Sequence, residues 1–276
     1  MEAKRILFVN SESLPYVPQT PGAKIGRYLP QGIQESGKEI RSFMPKYGCI
    51  NERRNQLHEV IRLSGMNIVV NDIDRPLIIK VASISAARMQ VYFIDNEDYF
   101  HRKFIYRDSD GKFFEDNDER AIFFARGVLE TVKKLRWKPD IIHCSGWISH
   151  ILPIYLKKSY SGDPIFAESK LVLSLYNEIA QENFSPDAAS KILMHGVQEK
   201  DLELLSPPNG INLAKLAVRY SDAIILGSPD INGELMEYVE KSSLPLLPYI
   251  EVESQETDYI AQYNNFYDQI INGNAD

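Results

Sequence analysis

Pro139-Asp140-Ile141-Ile142-His143-Cys144-Ser145-Gly146-Trp147-Ile148-Ser149-His150 is the stretch from which the rest of this chain can be read. Ile141, Ile142 and Cys144 make a short apolar run, the pattern of a parallel strand covered on both faces. A loop follows at Ser145 and Gly146. Apolar residues then recur at Ile151, Leu152, Ile154, Tyr155 and Leu156, which predicts a helix. In open α/β sheets, ligands bind beyond the carboxyl ends of the strands. His143, Ser145, Trp147 and His150 all fall at such an end, so this loop is the first place to seek a site.

The flanking chain supplies neighbouring strands. Ile6-Leu7-Phe8-Val9 is a second short apolar run. A loop rich in Ser, Pro and Gly covers 10–22, and a helix is predicted over 24–37, where Ile25, Tyr28, Leu29, Gly32 and Ile33 recur at helical spacing. A strand at 40–43 completes a βαβ unit. Strands are also predicted at 67–70, 77–84 and 89–94, some of them antiparallel at a sheet edge, and 95–110 reads as an aromatic-rich loop. The clearest helix spans 117–135, with Asp116 or Asn117 as its cap. Strands at 141–144, 171–175 and 223–227 and helices at 212–220 and from 234 continue the pattern. The class is therefore α/β, a mostly parallel doubly wound sheet with helices on both faces. Residues 1–245 form the domain. Residues 246–276 read as a polar, acidic tail with one helix over 259–271.

The 276 residues are 44% apolar, enough for one large domain or a domain with an appendage. Net charge is −7 and no basic run exceeds two residues. Nucleic acid is not an expected partner, because phosphate contacts need a cationic surface. No apolar stretch approaches the roughly 20 residues of a membrane helix. The start, Met1-Glu2-Ala3-Lys4-Arg5, leads into a strand rather than a signal-peptide core. The two cysteines, Cys49 and Cys144, argue against a disulfide framework or a zinc site. A reducing, cytoplasmic setting without a metal cofactor is expected.

Several motifs occur in a telling order. Ile6-Leu7-Phe8-Val9 precedes Ser11-Glu12 and Pro15-Tyr16, and Leu29-Pro30 ends the first helical segment. Phe43-Met44-Pro45-Lys46-Tyr47-Gly48, Tyr92-Phe93-Ile94-Asp95 and Asp116-Asn117-Asp118-Glu119-Arg120 follow. Pro139 to Cys144 with Trp147, and Arg219-Tyr220-Ser221-Asp222-Ala223 with Ser228-Pro229, complete the series. Together, over residues 4–235, they resemble the N-terminal lobe of the bacterial glycogen synthase and plant starch synthase family of glycosyltransferases. The resemblance implies a GT-B fold, in which two Rossmann-like lobes face each other across a cleft. It also implies transfer of glucose from a nucleotide sugar to an α-1,4-glucan with retention and without a metal. In that family the N-terminal lobe mainly supports the glucan and the second lobe holds most of the nucleotide. ADP-glucose is thus a possible donor, and an α-glucan or malto-oligosaccharide a possible partner.

The chain departs from the family pattern in four places. The second GT-B lobe, with its Arg/Lys pair for the diphosphate, is expected to be absent. The glycine-rich loop K-T-G-G-L-G-D is replaced by Pro18, Gln19, Thr20, Pro21, Gly22, Ala23 and Lys24, so a lysine is lost and a proline N–H is missing. In the histidine loop H-C-H-D-W-H the last position is Ile148. The T-I-H-N segment is Ser174, Leu175, Tyr176 and Asn177.

Candidate substrate-binding residues are Glu12, Tyr16, Lys24, His143, Ser145, Trp147, Tyr176 and Asn177; no catalytic residue is assigned. Glu12 could bond sugar hydroxyls or cap a turn. Lys24 could replace the lost cation or be a solvated lysine at a helix start. His143 could serve the site or be a satisfied structural histidine, and Trp147 could stack on a sugar ring or pack behind the loop. Asp118 and Glu119 suit the start of a helix dipole, and His101 reads as an exposed loop residue. Two functions follow. The chain is an α-glucan-binding or partner-binding lobe with weak or no transfer by itself. Alternatively it is an active retaining glucosyltransferase, alone or with a second-lobe chain. An exposed cleft face also predicts self-association or a second-lobe partner.

Overall fold

The computed structural model describes residues 3–252 and 258–273. The first strand, β1 (Arg5–Asn10), shows why a buried parallel strand reads as a continuous apolar run. Ile6 and Phe8 face one layer of helices, while Leu7 and Val9 face the other. In chain order there follow α1 (Pro21–Glu35), β2 (Glu39–Pro45), β3 (His58–Glu59), β4 (Met66–Val70), β5 (Ile73–Ile84), β6 (Met89–Asp95), α2 (Glu97–Phe100) and α3 (Asn117–Leu135). Then come β7 (Ile141–Ser145), α4 (Leu152–Lys158), β8 (Lys170–Leu175), α5 (Ala188–Ile192), α6 (Gly210–Arg219), β9 (Ala223–Leu226), α7 (Gly233–Ser242), β10 (Leu246–Leu247) and α8 (Tyr259–Asn272).

The strands form one sheet in the order β10-β9-β8-β7-β1-β2-β6-β5-β3, with β4 paired to β5. All neighbours from β10 to β6 are parallel, whereas β5 runs antiparallel to β6, β3 and β4. The expected antiparallel edge is therefore present. Strand order reverses at β1, which pairs with β2 on one side and β7 on the other. That is the topological switch point, where loops leave in opposite directions and open a crevice.

Helix α1 begins three residues before its predicted start. Thr20 accepts a hydrogen bond from Ala23 N at 2.9 Å and Pro21 occupies the first turn, a favourable start for a helix. Pro30 does not end this helix, as the Leu29-Pro30 motif suggested. It lies inside, and α1 continues to Glu35 because buried Leu29 and Ile33 hold its inner face to the sheet. Helix α3 keeps the predicted bounds, but Asp116 makes no side-chain cap. Its carboxylate is engaged by the guanidinium of Arg102 instead.

The largest revision concerns the C-terminal segment. Helix α8, the one helix expected in the polar, acidic tail, is part of the core. Tyr263, Phe266, Tyr267 and Ile270, one stripe at helical spacing, pack with α1 over Ile6, Phe8, Ile141, Val172 and Ile225. Burying four such side chains stabilises the packing by about 6–12 kcal/mol in area terms. Lys38, between α1 and β2, anchors the polar flank through Asn264 at 2.7 Å and Asp268 at 2.9 Å. The predicted tail also includes 253–257 and 274–276, which lie outside the described residues.

Candidate functional site

The crevice at the switch point is built by the loops leaving β1, β7, β8 and β9. Ser11 N donates to Ser145 O at 2.7 Å, which closes β1 onto β7 beyond the sheet. Gly146 then turns with φ +88°, and a side chain there would strike Ser11 Oγ. Gly26 has a different task. A Cβ at that position would collide with the carbonyl oxygen of Glu12, so only glycine lets α1 lie against the Glu12 loop. Thr20, besides capping α1, donates its hydroxyl to Glu12 Oε2 at 2.6 Å.

A cavity of about 380 Å³ opens there, with Glu12, Tyr106, Arg107, Tyr176, Glu178 and Tyr249 among its walls. Two carboxylates share it. Glu178 Oε2 accepts the backbone N–H of Trp147 at 3.0 Å. Desolvation of this carboxylate, reinforced by the charge of Glu12 and opposed by the Trp147 N–H, pushes Glu178 up to about 7. The residue as a whole is exposed, with Oε2 of its carboxylate held on the Trp147 N–H. Burial also raises the carboxyl of Glu12, and the Thr20 hydrogen bond pulls it back. The guanidinium of Arg107 is paired with Glu182. An adjoining hollow of about 300 Å³ shares Thr20, Pro21 and Tyr249 and adds Lys24 and Tyr263.

The structure brings together five of the eight sequence candidates and leaves three elsewhere. Glu12, Tyr176 and Asn177 line the cavity, Ser145 Oγ lies 3.3 Å from the Tyr176 hydroxyl, and Lys24 lines the adjoining hollow. Tyr16 is buried edge-on to Phe93, with ring centroids 4.9 Å apart. Trp147 is buried among Tyr106, Phe113 and Phe184, with centroid distances of 5.0, 5.6 and 5.9 Å. His143 is wholly enclosed: Nε2 meets Ser174 Oγ at 2.7 Å and Nδ1 meets the Tyr267 hydroxyl of α8 at 2.8 Å. Ile148 is also fully buried, so that departure lies in the core and not on the cavity wall. His101 pairs with buried Asp95 at 3.0 Å. Asp118 and Glu119 do more than face a helix dipole, for each lies 3.2 Å from Lys191 Nζ.

Sequence reasoning missed Glu178, Tyr106, Arg107 and Tyr249. Glu178 follows Tyr176 by two residues at the exit of β8, and that position alone could have flagged it. Tyr106 and Arg107 come from the loop between α2 and α3, and Tyr249 from the segment read as tail. Only the fold carries them to the switch point.

The Starch synthase catalytic domain family model matches residues 5–245, most of the chain. The chain belongs to this family. Among curated relatives, the glycogen synthase of Chlorobium limicola is 34% identical over 238 residues, covering 83% of this chain and 49% of the relative. That of Chlorobaculum tepidum is 34% identical over 240 residues, covering 86% and 48%. This starch synthase family chain thus spans about half the length of the curated relatives it matches. The catalytic domain of Starch Synthase IV from Arabidopsis thaliana, solved with ADP and acarbose, superposes with a TM-score of 0.69 at 17% identity, covering 91% of this chain and 52% of that one. That likeness establishes the shared fold. Among the described residues no group of three or more His, Cys, Asp or Glu side chains is placed to hold a metal ion, and no helix is long and apolar enough to cross a membrane.

Proposed function

We propose that this chain is a glucan-holding lobe of glycogen or starch metabolism that transfers glucose weakly or not at all by itself. The observation that carries the proposal is the pairing of Glu12 with Glu178 in the switch-point cavity, beside an Arg107 already engaged by Glu182. Carboxylates and tyrosine hydroxyls are good partners for sugar hydroxyls. A leaving nucleoside diphosphate needs cationic or N–H donors aimed at its developing charge. The aromatic walls Tyr106, Tyr176 and Tyr249 suit a pyranose face. A working setting in the reducing cytoplasm agrees with Cys49 and Cys144 both being free thiols.

The relatives named glycogen synthases favour a second reading, glucosyl transfer from ADP-glucose or UDP-glucose to an α-1,4-glucan. One experiment separates the two. Transfer from each donor to glycogen is measured with the purified chain, and malto-oligosaccharide binding is followed by calorimetry in the same samples. Binding without transfer is the expected result. Transfer above a boiled control refutes the weak-lobe reading, and absence of both refutes glucan holding.

A further inference from the structure

A second concavity lies at the opposite end of the sheet, where the parallel strands begin. Its volume is about 410 Å³. It forms beside Ile40 and Arg41, the residues after Glu39 at the start of β2, with Met89 and Gln90 at the start of β6 and Ser83 and Ile84 at the end of β5. The sheet register brings these segments together: Ser83 pairs with Gln90 and Ile84 with Met89 across β5 and β6, and Ser42 pairs with Val91 across β2 and β6. A short 3-10 turn, Ser85–Ala87, joins β5 to β6 and ends on Arg88, which takes a left-handed φ of 50°. Gln34 of α1 donates from Nε2 to the carbonyls of Ala87 and Arg88, both at 3.4 Å, and ties this turn to the helix.

Two guanidinium groups, Arg41 and Arg88, line this concavity, and no carboxylate does. Neither arginine forms an ion pair among the described residues. Arg41 is held in place: Nη1 donates to the Tyr92 hydroxyl at 2.7 Å, and the guanidinium lies over the rings of Tyr92 and Trp137, 5.6 and 5.3 Å from their centroids. A guanidinium already fixed by two rings loses little further freedom when a ligand arrives. Its planar fork of N–H donors matches phosphate oxygens. In a chain of net charge −7, an acid-free hollow with two arginines is a local reversal of sign that favours an anion. Ser83, Ser85 and Gln90 add neutral donors and acceptors on the same wall. We propose that this concavity binds a small phosphate-bearing polyol, with the phosphate on Arg41 and Arg88 and the hydroxyls on Ser83, Ser85 and Gln90.

The test is calorimetric titration of the whole chain at low ionic strength with inorganic phosphate, glycerol 3-phosphate and glycerol. Saturable binding of both phosphates, tighter for glycerol 3-phosphate, with none for glycerol, is the expected result. R88Q changes an exposed side chain and R41K keeps the charge but loses the fork. Each is expected to weaken glycerol 3-phosphate binding by about tenfold or more while leaving malto-oligosaccharide binding unchanged. Absence of saturable binding up to about 20 mM, a weak range for small anions, overturns the proposal. So does unaltered affinity in R88Q, which would put the anion elsewhere. Equal affinity for the two phosphates overturns the hydroxyl contacts.

Discussion

His150 is 3% exposed, and neither ring nitrogen has a hydrogen-bond partner among the described residues. Burial pushes its pKa down from 6.5 to about 3. In the folded chain the ring therefore stays neutral to about pH 3, while in the unfolded chain it takes a proton below 6.5. Stability associated with the neutral ring is complete above pH 6.5 and is lost as pH falls from there towards 3. The slope is about 1.4 kcal/mol per pH unit for one histidine, or about 2 kcal/mol between pH 6.5 and pH 5. His143, pushed down to about 3 by the same cause, adds a similar loss. Replacing His150 with Leu removes its share and two unpaired buried polar atoms. The variant should be more stable than the parent by about 1–3 kcal/mol near pH 8, and the gap should widen by about 2 kcal/mol at pH 5. Urea unfolding at several pH values, read by circular dichroism with unchanged m-values, measures both quantities. A variant several kcal/mol less stable than the parent near pH 8, or a gap constant from neutral to acid pH, would refute this account.

Tyr267→Phe strips the hydroxyl from His143 Nδ1 and leaves a buried nitrogen unpaired, so urea unfolding should show a loss of about 1–3 kcal/mol. Ending the chain at Val252 removes α8 and its buried stripe, a loss of about 6–12 kcal/mol against a typical total of about 5–15 kcal/mol. The shortened chain should bind a hydrophobic dye and lack a cooperative thermal transition; an unchanged transition temperature would contradict the packing described. Gly26→Ala drives a methyl group into the Glu12 carbonyl, and should cost about 1–3 kcal/mol and weaken malto-oligosaccharide binding together. Glu178 ionises as pH rises through about 7, and an ionised carboxylate is the stronger acceptor. Malto-oligosaccharide binding should therefore strengthen from slightly acid to slightly alkaline pH in the parent and stay flat in Glu178→Gln.

Much of the architecture was legible in the one-dimensional pattern. The short apolar runs at β1, β7, β8 and β9 appear as strands because burial on both faces favours apolar side chains at most positions. Helix α3 was legible to its last residue, because a long apolar stripe with a sharp polar start has no strand alternative. Helix α8 was legible as a helix but not as core. Its stripe has tyrosines at 263 and 267, amphipathic residues that suit either solvent or a packed interface.

The amino-acid sequence by itself determined the α/β class, the run of parallel strands, the family and the loop at which to seek a site, since each rests on local periodicity or on short motifs. The tertiary structure alone decided which side chains meet. His143 lies 124 residues from Tyr267 along the chain, yet their side chains are 2.8 Å apart, so a candidate for the site became an anchor of the core. Glu178 and Glu12 line one cavity only because strand order reverses at β1 and the loops after β1 and β8 converge above it. Such pairings depend on strand order, which local spacing does not encode.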